Sequence, residues 1–194
     1  MKIDSTRIYH FDINNFLWNS IYFPMSSAEL RCVEDDGIYV SMTCIEKNPL
    51  CRHFIADSPV YLDSAMEFFM YIQAGDDIPS NEIRYLNLEA NSSGSLLSQF
   101  GVKSCARPFL SELTSLQCTC CSWVSSHTWG LHFYVPLSLL HFLYGIQHLS
   151  DIDHLACNFY KISETPGIRH FASAFIVKSD HPDFHRPDCF GFIE

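Results

Sequence analysis

The chain has 194 residues, 47% hydrophobic and 18% charged, which marks it as globular and gives it enough length for one sizeable core. Its 12 basic and 22 acidic side chains leave a net charge of −10, a surface that repels phosphate backbones and anionic lipid and so argues against nucleic-acid and membrane partners. A neutral ligand rich in hydroxyls, or a cation, suits such a surface.

The opening run MKIDSTRIYHFDINNF has no apolar signal-peptide stretch, so the expectation is a soluble cytoplasmic protein; an extracellular one requires a leader ahead of this segment. Nine cysteines without even spacing read as reduced thiols. Period-two patterning then dominates. Asp35-Asp36-Gly37 is a turn feeding a strand with Ile38, Val40, Met42 and Cys44 on its apolar face. Residues Arg52 to Pro59 read as a loop, and Val60 to Ile72 as one long strand with Ser64, Met66, Phe68 and Met70 on one side and Asp63, Ala65 and Glu67 on the other. Turn formers crowd Gln73 to Glu82.

The segment Tyr85 to Asn91 alternates: Leu86, Leu88 and Ala90 face the core, while Tyr85, Asn87, Glu89 and Asn91 face outward, and Ser92-Ser93-Gly94 closes the strand. A further strand runs from Trp129 to Val135, and Pro136 to Leu140 opens a short helix. Leu155 to Ile162 and His170 to Val177 read as strands, and Ser179 to Pro187 as an ordered loop. The longest apolar run, Val135 to Ile146, is broken by Pro136, Ser138 and His141 and falls short of the roughly 20 residues of a membrane span. No repeat or linker divides the chain, so residues 1–194 are expected to form a single all-β domain, a sandwich of antiparallel strands with one or two short helices.

An antiparallel hairpin of the Val60–Ile72 and Tyr85–Asn91 strands puts Asp63, Glu67, Asn87, Glu89 and Asn91 on one polar, acidic, solvated face. Glu67 and Glu89 then oppose each other, and facing like charges cost energy. Arg107, Arg52 or Arg84, a calcium ion or a ligand is expected to compensate. Carboxylates and amides suit sugar hydroxyls because they accept or donate in fixed directions. A sugar also needs an aromatic plane, for which Tyr61, Trp123, Trp129 and Tyr160 are candidates against the plainer reading of each as core.

Several segments together resemble the family 9-like carbohydrate-binding modules, including stand-alone bacterial members. They are Asp36-Gly37-Ile38-Tyr39-Val40; Asp63-Ser64-Ala65-Met66-Glu67-Phe68-Phe69; Tyr85-Leu86-Asn87-Leu88-Glu89-Ala90-Asn91 with Gly94; Trp129 with Val135-Pro136; Asn158-Phe159-Tyr160-Lys161; and Asp183-Phe184-His185-Arg186-Pro187 with Phe190-Gly191. The resemblance implies an immunoglobulin-like or jelly-roll β-sandwich, recognition of a mono- or oligosaccharide in polysaccharide catabolism, a glycoside hydrolase as partner in trans, and calcium as a candidate ion. It places Tyr61, Asp63, Glu67, Asn87, Glu89, Asn91, Arg107 and Asn158 near the site. Two departures stand out: Ala174 occupies a position where the family carries Trp, and Tyr61 one where Trp is common.

Other readings stay open. A glycoside hydrolase needs two carboxyls about 5–10 Å apart; Glu67 and Glu89 as cross-strand neighbours would be about 5 Å apart, although a solvated face would leave neither acid desolvated. Cys118 and Cys121 with His127 and His132 have part of a zinc spacing, but the spacer is short and a second Cys pair is missing. A degenerate structural module is the third reading.

Overall fold

The computed structural model describes residues 4, 6–73, 79, 82–103 and 106–193. Two antiparallel sheets pack face to face. The smaller contains β1 (Ile8–Ile13), β3 (Met25–Val33), β4 (Gly37–Ile45), β9 (Thr128–Pro136) and β8 (Thr119–Val124), in that spatial order. The larger runs β2 (Asn15–Phe16), β11 (His170–Ser173), β10 (His154–Ser163), β5 (Ala65–Gln73), β6 (Arg84–Asn91), β7 (Leu96–Val102). β12 (Gly191–Ile193) pairs with the start of β10.

Alternation explains the core. Ala28, Leu30 and Cys32 of β3 and Ile38, Val40, Met42 and Cys44 of β4 point inward, against Met66, Phe68 and Met70 of β5 and Leu86, Leu88 and Ala90 of β6. Each such fully buried aliphatic or aromatic side chain contributes about 1.5–3 kcal/mol. Pro136 ends β9 and opens α2 (Leu137–Tyr144), as the sequence suggested, and Gly145 closes it in the left-handed conformation at φ 75°, with its N–H on the His141 carbonyl at 2.8 Å. No helix among the described residues is long and apolar enough to cross a membrane.

A buried polar bridge joins the sheets at one end. Lys161 on β10 donates to Ser64 Oγ at 2.5 Å, reaches His170 Nε2 at 2.7 Å and lies 3.4 Å from Glu46, which also accepts from Ser64 (2.6 Å) and from Trp129 Nε1 (2.9 Å) on β9. Burial works to raise the Glu46 carboxyl, but Lys161 and these two hydrogen bonds hold it below the ordinary value. Burial, then the Lys161 charge, pull His170 down to about 3, so its neutral ring accepts from Lys161 and donates from Nδ1 to the Ile168 carbonyl at 2.6 Å.

Three expectations need correction. The Val60–Ile72 strand starts only at Ala65; Val60–Leu62 form a 3₁₀ turn, because the Asp63 carboxylate takes the backbone N–H groups of Arg52 and His53, each at 3.0 Å, and draws the chain into the preceding loop. The His170–Val177 strand ends at Ser173, where the Asn158 side chain captures the backbone N–H and carbonyl of Phe175, each at 3.0 Å. The outer face of the larger sheet is not solvated. Ala65, Phe69, Tyr71, Tyr85 and Tyr160 form a second buried cluster there with Phe171, Phe184 and Phe190, under chain from both ends of the sequence. The turn expected between Gln73 and Glu82 lies mostly outside the described residues; β5 and β6 on either side of it pair antiparallel.

Candidate functional site

Strand register lays out the floor of a cleft on this outer face. Tyr160 of β10 opposes Glu67 of β5, Glu67 opposes Glu89 of β6, and Glu89 opposes Leu97 of β7. One row over lie Asn158, Phe69, Asn87 and Gln99. The cleft has a volume of about 730 Å³, within the range of roughly 300–1,000 Å³ common for small-molecule sites. Its lining includes the contacting rings of Trp18, Phe171 and Phe184, together with Asp57, Pro59, Tyr61, Asp183 and the paired Arg107 and His185.

Glu67 and Glu89 are 2% and 4% exposed. Burial first, then the facing Glu89 and the nearby Glu164, push the Glu67 carboxyl well above its ordinary value, with Lys161 opposing. Burial pushes Glu89 up to about 7, although a hydrogen bond from Asn87 Nδ2 (3.0 Å) and the Arg107 charge oppose it. The expectation that no acid here would be desolvated is therefore corrected: the covering segments leave both almost wholly buried.

Arg107 is positioned rather than free. Its Nε donates to Asn87 Oδ1 at 3.3 Å, its Nη2 meets His185 Nε2 at 3.1 Å, and its guanidinium lies 5.3 Å from the Tyr85 ring centroid. Burial and Arg107 lower His185 to about 3, so its ring is neutral. Because Arg107 can only donate, Nε2 accepts and Nδ1 carries the proton toward the Tyr85 hydroxyl at 3.0 Å. A Lys103–Asp183 ion pair of 2.5 Å ties the covering loop to the end of β7.

Of the residues singled out from sequence, Tyr61, Glu67, Glu89 and Arg107 line the cleft. Asn87 lies beneath, holding Arg107 and Glu89 in place. Asp63 and Asn91 do not line it: Asn91 donates to Asp63 at 2.8 Å and to the His53 carbonyl at 2.6 Å, so the pair fixes the 52–53 backbone. Asn158 is buried and ties Phe175 and Cys189 to β10. Arg52 lies 3.6 Å from Asp63 rather than serving the glutamates, and Arg84 is exposed at the start of β6. Among the aromatic candidates, Trp129 is inter-sheet core, Trp123 sits on the smaller sheet, and Tyr160 is buried under Phe184 with ring centroids 4.1 Å apart.

Sequence reasoning missed Trp18, Phe171 and Phe184. Ala174 does not face the cleft at all; it packs against the inter-sheet core. The indole comes instead from Trp18, carried on a turn in which Trp18 and Asn19 both have positive φ (48° and 56°). It is fixed by Nε1 donating to the Ser179 carbonyl at 2.7 Å and by ring contacts with Phe184 (5.1 Å) and Phe171 (5.5 Å).

The zinc spacing does not assemble: Cys118 is buried, Cys121 is exposed on β8, and His132 is engaged with Ser41 at 2.9 Å. Among the described residues, the only three-residue grouping with metal-ligand atoms together is Glu34, Asp35 and His148.

The cleft thus combines aromatic rings, two buried carboxyls, an amide-held guanidinium and a neutral imidazole. The sequence profile of carbohydrate-binding family 9 matches residues 1–194. The chain belongs to carbohydrate-binding family 9. Solved structures agree on the fold of this family 9 chain. A Bacteroides uniformis protein described as carbohydrate-binding superposes with a TM-score of 0.79 at 24% identity, over 95% of this chain and 85% of its own. A family 9 module from Caldicellulosiruptor kristjanssonii in complex with glucose gives 0.60 at 13% identity, over 100% of this chain and 87% of that one. The same organism's family 9 module with cellotriose gives 0.59 at 12%, over 98% and 83%. No curated protein sequence matches the chain.

Proposed function

We propose that this family 9 chain binds a mono- or oligosaccharide in the cleft above Glu67 and Glu89 without chemically altering it. The observation that carries this is the presence of aromatic rings (Trp18, Tyr61) and a floor of hydrogen-bonding groups in the lining of one cleft of sugar size. Sugars present C–H faces that pack on aromatic rings, and hydroxyls that pair with carboxyl, guanidinium and amide groups. The structures with glucose and cellotriose bound support the ligand class, since those modules share this fold. The partner this implies is a glycoside hydrolase acting on the same saccharide. A glycan array followed by calorimetry tests the reading: binding is expected, and Trp18→Ala is expected to weaken it by about 1–2 kcal/mol. Absence of binding to any saccharide at millimolar concentration would count against it.

Hydrolysis is the second reading, favoured by one observation: two desolvated carboxyls directly opposed across β5 and β6. An aryl-glycoside panel separates the two. No turnover is expected; turnover abolished by Glu67→Gln would establish catalysis instead.

A further inference from the structure

We propose that the cleft selects saccharides bearing a free amino group, held as an ammonium over the Glu67–Glu89 pair. This rests on the carbohydrate reading above and narrows its ligand class.

Glu67 carries the argument. Its side chain lines the cleft and is 2% exposed; no described residue hydrogen-bonds or ion-pairs with it, and its carboxyl oxygens are not among the fully enclosed unpartnered atoms, so they open onto the cleft. A carboxyl that opens onto a cleft without a protein partner can meet a ligand, and a hydrogen bond to a charged group contributes about 1.5–3 kcal/mol. Glu89 directly opposite holds only the Asn87 amide. Asp57 and Asp183 also line the cleft, and Glu164 adds a further carboxyl at the exposed rim.

The protein's own cations are committed elsewhere. Arg107 hydrogen-bonds to Asn87 and His185 and lies over the Tyr85 ring; its charge reaches Glu89, but it makes no ion-pair contact among the described residues. Lys161 is on β10 next to Tyr160, which opposes Glu67, but it is bound to Ser64, His170 and Glu46. Of the carboxyls lining the cleft, Asp183 is paired with Lys103 and Glu89 feels the Arg107 charge, which leaves Asp57, Glu67 and the rim Glu164 without a contacting cation among the described residues. A neutral hydroxyl hydrogen-bonds to one oxygen and leaves them so. An ammonium brings a charge and three donors, enough for both carboxyls. The faces of Trp18 and Tyr61 add attraction for a cation that they would not offer a neutral group.

A second consequence follows from the groups facing Glu67, namely Glu89 from β6, Glu164 from the segment after β10, and Lys161. Burial and the two neighbouring carboxyls favour its protonated form, opposed by Lys161. An arriving ammonium reverses that balance, so binding near neutral pH expels a proton to the buffer.

The test is calorimetry of the full chain with glucosamine, N-acetylglucosamine and glucose at pH 6.5, in two buffers of different ionisation enthalpy. Glucosamine should bind about tenfold or more tighter than the other two, with a buffer-dependent heat that reports proton release, and with affinity that falls as salt is added. In Glu67→Gln the ratio between glucosamine and glucose should collapse toward one. Glucose binding as tightly as glucosamine, or a ratio unchanged in the variant, overturns amino-sugar selectivity while leaving the sugar cleft standing. Failure of all three to bind, and of every array saccharide, removes both. Should Glu67→Gln not fold, the proton release and salt dependence of the unmodified protein decide the matter.

Discussion

Replacing Glu89 by Gln keeps the shape of the side chain and its ability to accept from Asn87, but removes a carboxylate that burial disfavours. In the folded protein this group titrates at about 7, against an ordinary value of 4.5. The folded state therefore holds the proton more tightly than the unfolded chain, so the contribution to stability is largest at low pH and is lost as pH rises through about 7. The interval from 4.5 to about 7 is worth about 3 kcal/mol once the group is fully ionised. Glu89→Gln should thus be more stable than the parent by about 3 kcal/mol at pH 8 and by under about 1 kcal/mol at pH 5. Urea titrations at both values measure this. The comparison must be between the two proteins at each pH, because His170 and His185, both held neutral at about 3, lose stability as pH falls through the unfolded His range. A variant less stable than the parent at pH 8, or a gap that does not widen with pH, would refute the reasoning.

Lys161→Met leaves Glu46 buried without its cation and should cost about 3–5 kcal/mol, much of it recovered in the double variant with Glu46→Gln; chemical denaturation of the four-member cycle checks this. Asp63→Ala removes the acceptor of two backbone N–H groups and of Asn91, and should cost about 2–4 kcal/mol while raising amide exchange at Arg52 and His53. Ala174→Trp should overfill the inter-sheet core, lower stability by about 1–3 kcal/mol and bring no gain in sugar affinity, since the position faces away from the cleft.

The sandwich was legible because its inward faces alternate cleanly: Ile38 to Cys44, Met66 to Met70 and Leu86 to Ala90 all point where their spacing says. The alternation of Ala28, Leu30 and Cys32 with Glu29 and Arg31 carries the same signal for β3. The facing of Glu67 and Glu89 followed from a hairpin and its register. The burial of that pair did not, because period two assigns residues to a face but cannot say what covers it. The cover comes from the turn at Trp18 and the loop at 181–185, far apart in sequence and held together by the Trp18–Ser179 hydrogen bond. For the same reason Trp18 left no motif: its position depends on a local left-handed backbone and on Phe184 from the opposite end of the chain. Asp63, Asn91 and Asn158 look like ligand groups in sequence because the residue types that recognise hydroxyls are also those that satisfy loop backbone.

The chain has three tryptophans, of which only Trp18 lines the cleft; Trp129 is in the core and Trp123 is on the smaller sheet. A saccharide titration followed on the three indole N–H signals by NMR therefore tests the central claim most directly. Saccharide binding in the cleft predicts a saturable shift confined to Trp18, and a shift at Trp123 with Trp18 unmoved would contradict it.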